Sequence, residues 1–316
     1  MEILFIILTI LGLSLFEIIT SIDNAVINAE VLSGMGKKAR RFFLTWGFFF
    51  AVIVVRGVLP FLIVWATIPN LGPFEVLGAS FTSGLAKEAI EEASPILLMG
   101  GGVFLIFLFF NWLFLEPKNF GLRGEAFFQR QGAWFFAVVS ILLLLIVWFS
   151  LRMNPLVAFS AVAGSTAFFI IHGFRSYAEE KEKNLLSKKS NISDISKVAY
   201  LEVLDASFSI DGVIGAFAFT LAVPLILIGN GIGALVLRHL TISNIDRIKK
   251  YRFLKNGAMY SILFLGTIMV ADAFGAHVPV YITPFVTFGT VGYFFYKSRV
   301  DLKKMEQDIK VVIENK

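Results

Sequence analysis

The chain has no cysteine, which excludes disulfides and thiolate metal sites. Only three residues are histidine and only 16% of the 316 are charged. Nothing resembles a nucleotide-binding loop, so an ATP-driven mechanism has no motif to rest on. Segments of about ten residues with strict apolar–polar alternation, the mark of an outer-membrane barrel, are also missing. What the chain has instead is apolar surface: 57% hydrophobic residues, 35 of its residues phenylalanine, and a mean hydropathy of +0.79. One soluble core of this length cannot hide that much, so the solvent must be lipid. The expected fold is all-α, a polytopic transmembrane helix bundle.

Apolar runs read against their breakers give nine expected spans, near 3–31, 42–66, 95–115, 133–151, 154–174, 197–221, 223–240, 257–273 and 279–297. The first, with no basic segment before it, reads as an uncleaved span. Of the 28 Lys and Arg residues, Arg56 falls inside a span and only Lys87 and Arg152 fall on one side, leaving the rest on the other. By the positive-inside rule the N-terminus of this multi-pass chain faces out and the C-terminus faces the cytoplasm. Topology therefore accounts for the net charge of +5, and nucleic acid is not an expected partner. The whole of 1–316 reads as a single transmembrane domain: a first half 1–174, a cytoplasmic linker 175–197, a second half 198–297 and a cytoplasmic tail 298–316. The connection 73–94, with Glu75, Glu88, Glu91 and Glu92, is expected outside as a short amphipathic or partly re-entrant segment. An oligomer is compatible with this pattern but nothing in it fixes one.

A repeat carries the functional argument. Shifting the first span by 188 residues places Glu17 on Asp205, Ser21 on Ser209, Ile22 on Ile210, Asp23 on Asp211 and Val26 on Ile214. Because the first span runs inward and the sixth outward, the pair is expected to be an inverted repeat of the kind from which secondary transporters are built, with the substrate site where the two copies meet. An ionised carboxylate inside lipid costs at least about 2.5 kcal/mol, so these acids should face a bundle interior and a partner. Glu17, Ser21, Asn24 and Asn28 share one helical face, and the second copy repeats it with Asp205 and Ser209, Glu202 standing one turn earlier. Asp23 and Asp211 point about 240° away on an unbroken helix. Either the helix is unwound there or they meet other partners; Gly212 and Gly215 would permit a break in the sixth span.

These donors are hard oxygens, suited to Mn²⁺, Ca²⁺ or Mg²⁺ as a transported ion and to no resident cofactor. Emptied of metal, clustered acids would hold protons that an arriving cation displaces. Export of a 2+ ion against an inward potential costs about 4.6 kcal/mol per 100 mV, which returning protons could supply. Arg56 reads as a counter-ion for the acids or a structural ion pair, Asp272 as an interfacial cap more than an exit-path residue, and Asn230, between Gly229 and Gly231, as helix packing. His172, His239 and His277 fall at span ends or in a loop, apart from the carboxylates.

The segments Thr20–Ala29 (TSIDNAVINA) and Leu201–Ala216 (LEVLDASFSIDGVIGA) resemble the two signature spans of the TerC family, in particular a branch described as a domain of unknown function, within the LysE-like exporter superfamily. The resemblance implies a divalent-cation exporter of the Mn²⁺ type in a bacterial cell (inner) membrane, with Asp23, Asn24, Asp205 and Asp211 at the metal-binding positions. The family usually has seven spans where this chain reads as nine. The combined expectation for the metal site is Glu17, Asp23, Asn24, Asn28, Glu202, Asp205, Ser209 and Asp211. Export of an amino acid or other small solute, or a role as a metal-loading partner for secreted enzymes, stands as the alternative. An intramembrane aspartyl protease using Asp205 and Asp211 is the rival from the enzyme class; the chain is not expected to be an enzyme.

Overall fold

A computed structural model describes residues 2–33, 35–68, 72–75, 85–117, 121–122, 124–187 and 193–314. Among the described residues there is no strand. The helices are α1 (Glu2–Thr20), α2 (Ile22–Ser33), α3 (Lys37–Thr67), α4 (Leu85–Leu115), the short α5 (Glu125–Arg130), α6 (Trp134–Leu151), α7 (Pro155–Ser187), α8 (Asp194–Ala216), α9 (Val223–Lys249), α10 (Leu254–Ala273) and α11 (Ile282–Glu314). Seven of the described helices contain a stretch long and apolar enough to cross a membrane: Ile3–Thr20, Lys37–Thr67, Glu88–Leu115, Trp134–Leu151, Pro155–Tyr177, Val223–Leu240 and Leu254–Ala273. The other two expected spans correspond to α8 and α11. At 23 and 33 residues both are long enough, but α8 carries Glu202, Asp205 and Asp211, and the C-terminal half of α11 is charged. Phe136, Leu144, Trp148 and Phe159 are more than half exposed, which fits a multi-pass protein whose outer surface meets acyl chains.

The connections carry helix of their own. Within 175–197, α7 continues to Ser187 and α8 begins at Asp194. The tail beyond 298 is helical to Glu314, and the 73–94 connection joins α4 from Leu85; residues 76–84 and 188–192 lie outside the described residues. The Ala-, Glu-, Lys- and Leu-rich ends of these helices have high propensity, and extending a formed helix needs no new nucleus.

Glycine sets the closest helix crossings. A Cβ at Gly164 of α7 would overlap the Gly100 carbonyl of α4, and one at Gly102 would lie 2.9 Å from the Gly266 carbonyl of α10. Backbone-to-backbone approach of this kind is how membrane helices associate when hydrophobic burial offers no driving force. Around it, Phe104 and Phe107 of α4 meet Phe168 of α7 edge to face, with centroids 5.9 and 5.8 Å apart. The same device joins α1 to α9: a Cβ at Gly233 would lie 2.7 Å from the Ser14 carbonyl and from Glu17 Cβ, while Ser14 Oγ donates to the Gly229 carbonyl at 2.9 Å.

The expected break at Gly212 and Gly215 does not occur. α8 runs through both, and both glycines serve contact: the Phe16 ring fills the position of a Gly215 Cβ, and Glu17 Oε2 lies 2.8 Å from that of Gly212. The discontinuity falls in the first copy, at Ser21 between α1 and α2. It is slight, because Ser21 N–H still bonds the Glu17 carbonyl (3.1 Å) and Ala25 N–H the Ser21 carbonyl (2.9 Å).

Candidate functional site

The polar stripe of the first copy is buried along its length: Glu17 0%, Ser21 2%, Asn24 2% and Asn28 8% exposed. Glu17 Oε1 accepts three hydrogen bonds, from Ser21 Oγ (2.9 Å), Arg56 Nε (2.9 Å) and Arg56 Nη2 (2.6 Å). From α8, Asp205 approaches the same guanidinium, Oδ2 lying 3.9 Å from Arg56 Nη1. Its Oδ1 accepts from Asn24 Nδ2 at 2.5 Å, and Asn28 adds a further side-chain bond. Glu17 and Asp205, the residues that occupy equivalent positions in the two motif copies, thus meet one arginine.

α3 is shaped to present that arginine. Two π-helical stretches, Phe43–Gly47 and Ala51–Val58, interrupt its α-helical course. Such wide turns gather at functional sites because they re-aim side chains without ending a helix. Arg56 projects inward from the second and donates from Nη1 to its own helix, to the Ala51 carbonyl at 3.1 Å. The first contains Gly47, where a Cβ would overlap Glu202 Oε1, so only glycine admits the Glu202 carboxylate.

A cavity of about 70 Å³ opens beside this pair, walled by Asn24, Asn28, Arg56, Glu202, Asp205 and Arg238 among others. Arg238 of α9 sits 4.7 Å over the Phe48 ring, within the field of Glu202 and Asp205. Asn24 Oδ1, Asn28 Oδ1 and both oxygens of Glu202 are buried without a hydrogen-bond partner among the described residues. Leaving such atoms unpaired costs about 1–3 kcal/mol each, and buried polar groups in folded proteins are otherwise nearly always paired. A wall of unpaired oxygens is what a cation, bare or with part of its water shell, would satisfy. Among the described residues no three His, Cys, Asp or Glu side chains stand close enough to hold a metal by themselves. A cation here would draw on amide oxygens and on carboxylates that Arg56 now engages.

The expected ligands therefore divide. Asn24, Asn28, Glu202 and Asp205 wall the cavity, and Glu17 stands behind Arg56. Ser209 is buried, its Oγ unpaired, outside the cavity wall. Asp211 belongs to another contact, bound by Arg175 of α7 at 3.0 Å. Asp23 lies in α2, and its side chain is outside the described residues. Asp205 and Asp211 thus have different arginine partners, Arg56 and Arg175. Elsewhere, Asp272 accepts from the Val278 amide at 2.5 Å and closes the turn after α10, the cap expected of it. His239 and His277 are exposed, but His172 is half-buried, 3.1 Å from Asn111 Nδ2 and stacked on Phe168. The sequence reading missed Arg238, which it counted with the cytoplasmic charges, and Arg175, which it placed in a linker. The contact of Arg175 with Asp211 and the placing of Arg238 near Glu202 and Asp205 are tertiary and leave no local signal.

A second cavity, about 560 Å³ between α3, α4, α7 and α8, has no charged wall. Its two hydroxyls, Thr67 and Ser160, bond back to their own helices, so it offers nothing to an ion.

The fold and this cluster define a multi-pass helical membrane protein with a buried acid–arginine cluster beside a small cavity of mixed polar and apolar lining. The family model described as "Protein of unknown function (DUF475)" matches residues 22–305, and the chain belongs to that family. No curated protein and no solved structure matches it significantly.

Proposed function

We propose that this protein is a secondary transporter that exports a hard divalent cation, Mn²⁺ first, from a bacterial cytoplasm. On this reading it has nine spans with the N-terminus outside, its two motif copies form the inverted repeat, and its kinship is with the TerC family. The observation that carries the reading is the cavity wall: unpaired buried oxygens of Asn24, Asn28 and Glu202 beside Asp205, next to an arginine already standing in for a cation. Arg56 neutralises Glu17 and Asp205 while no cargo is bound; a cation entering the cavity competes for both carboxylates and frees the guanidinium. Protons carried back by the vacated acids supply the drive against the membrane potential.

Four charged side chains, two of each sign, also suit a zwitterion, which favours export of an amino acid as the second reading. The volume of about 70 Å³ argues against all but the smallest amino acids, since pockets for drug-sized ligands run to roughly 300 Å³ or more. Uptake of Mn²⁺ into inverted vesicles, compared between wild type and Asp205→Asn, tests the proposal. The expected result is saturable, proton-coupled uptake lost in the variant. Equal Mn²⁺ flux in both ends this reading, and displacement of Mn²⁺ by an amino acid at low concentration favours the second.

A further inference from the structure

Asn230 lies in α9 at 0% exposure, and neither its Nδ2 nor its Oδ1 has a hydrogen-bond partner among the described residues. The sequence explains it as helix packing, but its neighbours do the packing. Gly229 and Gly233 receive Leu13 and Glu17 of α1, Gly231 lies against Val52 of α3, and Leu227 lies against Gly57 of α3. At about 100° per residue, Asn230 projects between the faces turned to α1 and α3, on the side of α9 opposite the exposed Ile228 and Ile232 and so toward the bundle interior.

Its level along the bundle is equally defined. Three polar residues of the cavity wall lie to one side of the Glu17–Arg56 pair along the bundle: Asn24 and Asn28 follow Glu17 on α2, and Arg238 follows Gly233, the residue packed on Glu17, on α9. Asn230 precedes Gly233, the residue level with Glu17, and so stands about one turn away on the opposite side. We propose that Asn230 is a second cation-binding station, on the far side of the Glu17–Arg56 pair from the cavity, whose amide oxygen receives the divalent ion, or a water of its shell, once the pair has opened. This rests on the transport reading above and extends it from a site to a path. An amide is suited to the position because it offers a hard oxygen without a second charge, so the ion is held weakly enough to leave.

The test uses the full-length protein as wild type, Asn230→Leu, Asn230→Ala and Asp205→Asn. Mn²⁺ flux is measured in reconstituted phospholipid vesicles, Mn²⁺ binding in detergent, and thermal unfolding on the same samples. Asn230→Leu is close in volume and removes a buried unpaired amide, so it should melt at or above the wild-type temperature. It should bind Mn²⁺ within about twofold of wild type and transport it about tenfold more slowly or worse. Asn230→Ala should show the same split, whereas Asp205→Asn should lose binding and flux together. Wild-type flux in both Asn230 variants overturns the proposal. So does a joint loss of melting temperature, binding and flux in both, which would make Asn230 a packing residue. If wild type itself neither binds nor moves Mn²⁺, the transport reading fails and takes this one with it, an outcome distinct from the other two.

Discussion

Removing the Arg56 guanidinium is the most direct probe of the cluster. Arg56→Met keeps much of the side chain's length but takes away two of the three hydrogen bonds to Glu17 Oε1, leaving a carboxylate of 0% exposure with a single hydroxyl donor. Breaking a buried pair on one side costs about 3–5 kcal/mol, because the remaining charge stays desolvated. The Asp205 contact at 3.9 Å represents a gross attraction of about 4 kcal/mol at an effective dielectric of 20, largely offset by desolvation and backed up by Asn24. The single variant should therefore lose about 3–5 kcal/mol, read by equilibrium unfolding in mixed micelles with tryptophan fluorescence. Arg56→Met combined with Glu17→Leu should recover most of that loss, since an apolar replacement of both partners leaves no stranded charge. A single variant within about 1 kcal/mol of wild type, or a double variant whose losses simply add, would refute the claim that this pair is buried and mutually dependent.

Other substitutions test neighbouring features. Gly47→Ala puts a methyl where Glu202 Oε1 lies and should weaken Mn²⁺ binding while leaving helix content by circular dichroism unchanged; intact binding would show that the Glu202 position does not matter. Gly164→Ala meets the Gly100 backbone, which cannot rotate away as a side chain would, so it should destabilise by about 1–3 kcal/mol. Gly292→Ala on α11 meets nothing within 4 Å and should stabilise by up to about 1 kcal/mol through helix propensity; the two measured by the same unfolding assay should differ in sign.

The stripe Glu17, Ser21, Asn24 and Asn28 was legible because polar residues recurring every three or four positions in an apolar run can only face inward. Arg56 was legible as the lone cation inside a span, and the structure supplies the partners that the sequence left open. Asp211 was not. Its placement depends on Arg175, and α7 carries that residue to it across a tertiary contact that no spacing encodes. The glycines of α8 misled for a related reason: a residue without a Cβ permits both a broken helix and a close neighbour, and only the position of Phe16 and Glu17 decides between them. The helical course of 175–187 was hidden by its mixed charges, which suit a solvated linker and a solvated helix equally.

The bond from Arg56 to the Ala51 carbonyl gives the guanidinium a resting place on its own helix. Should Glu17 be drawn off by a competing charge, the arginine would still have one acceptor in hand, so its departure need not strip it bare in a medium without water. Any charge that competes for the acids would then displace only the share of the guanidinium that reaches across to α1 and α8, and the share held by α3 would stay in place.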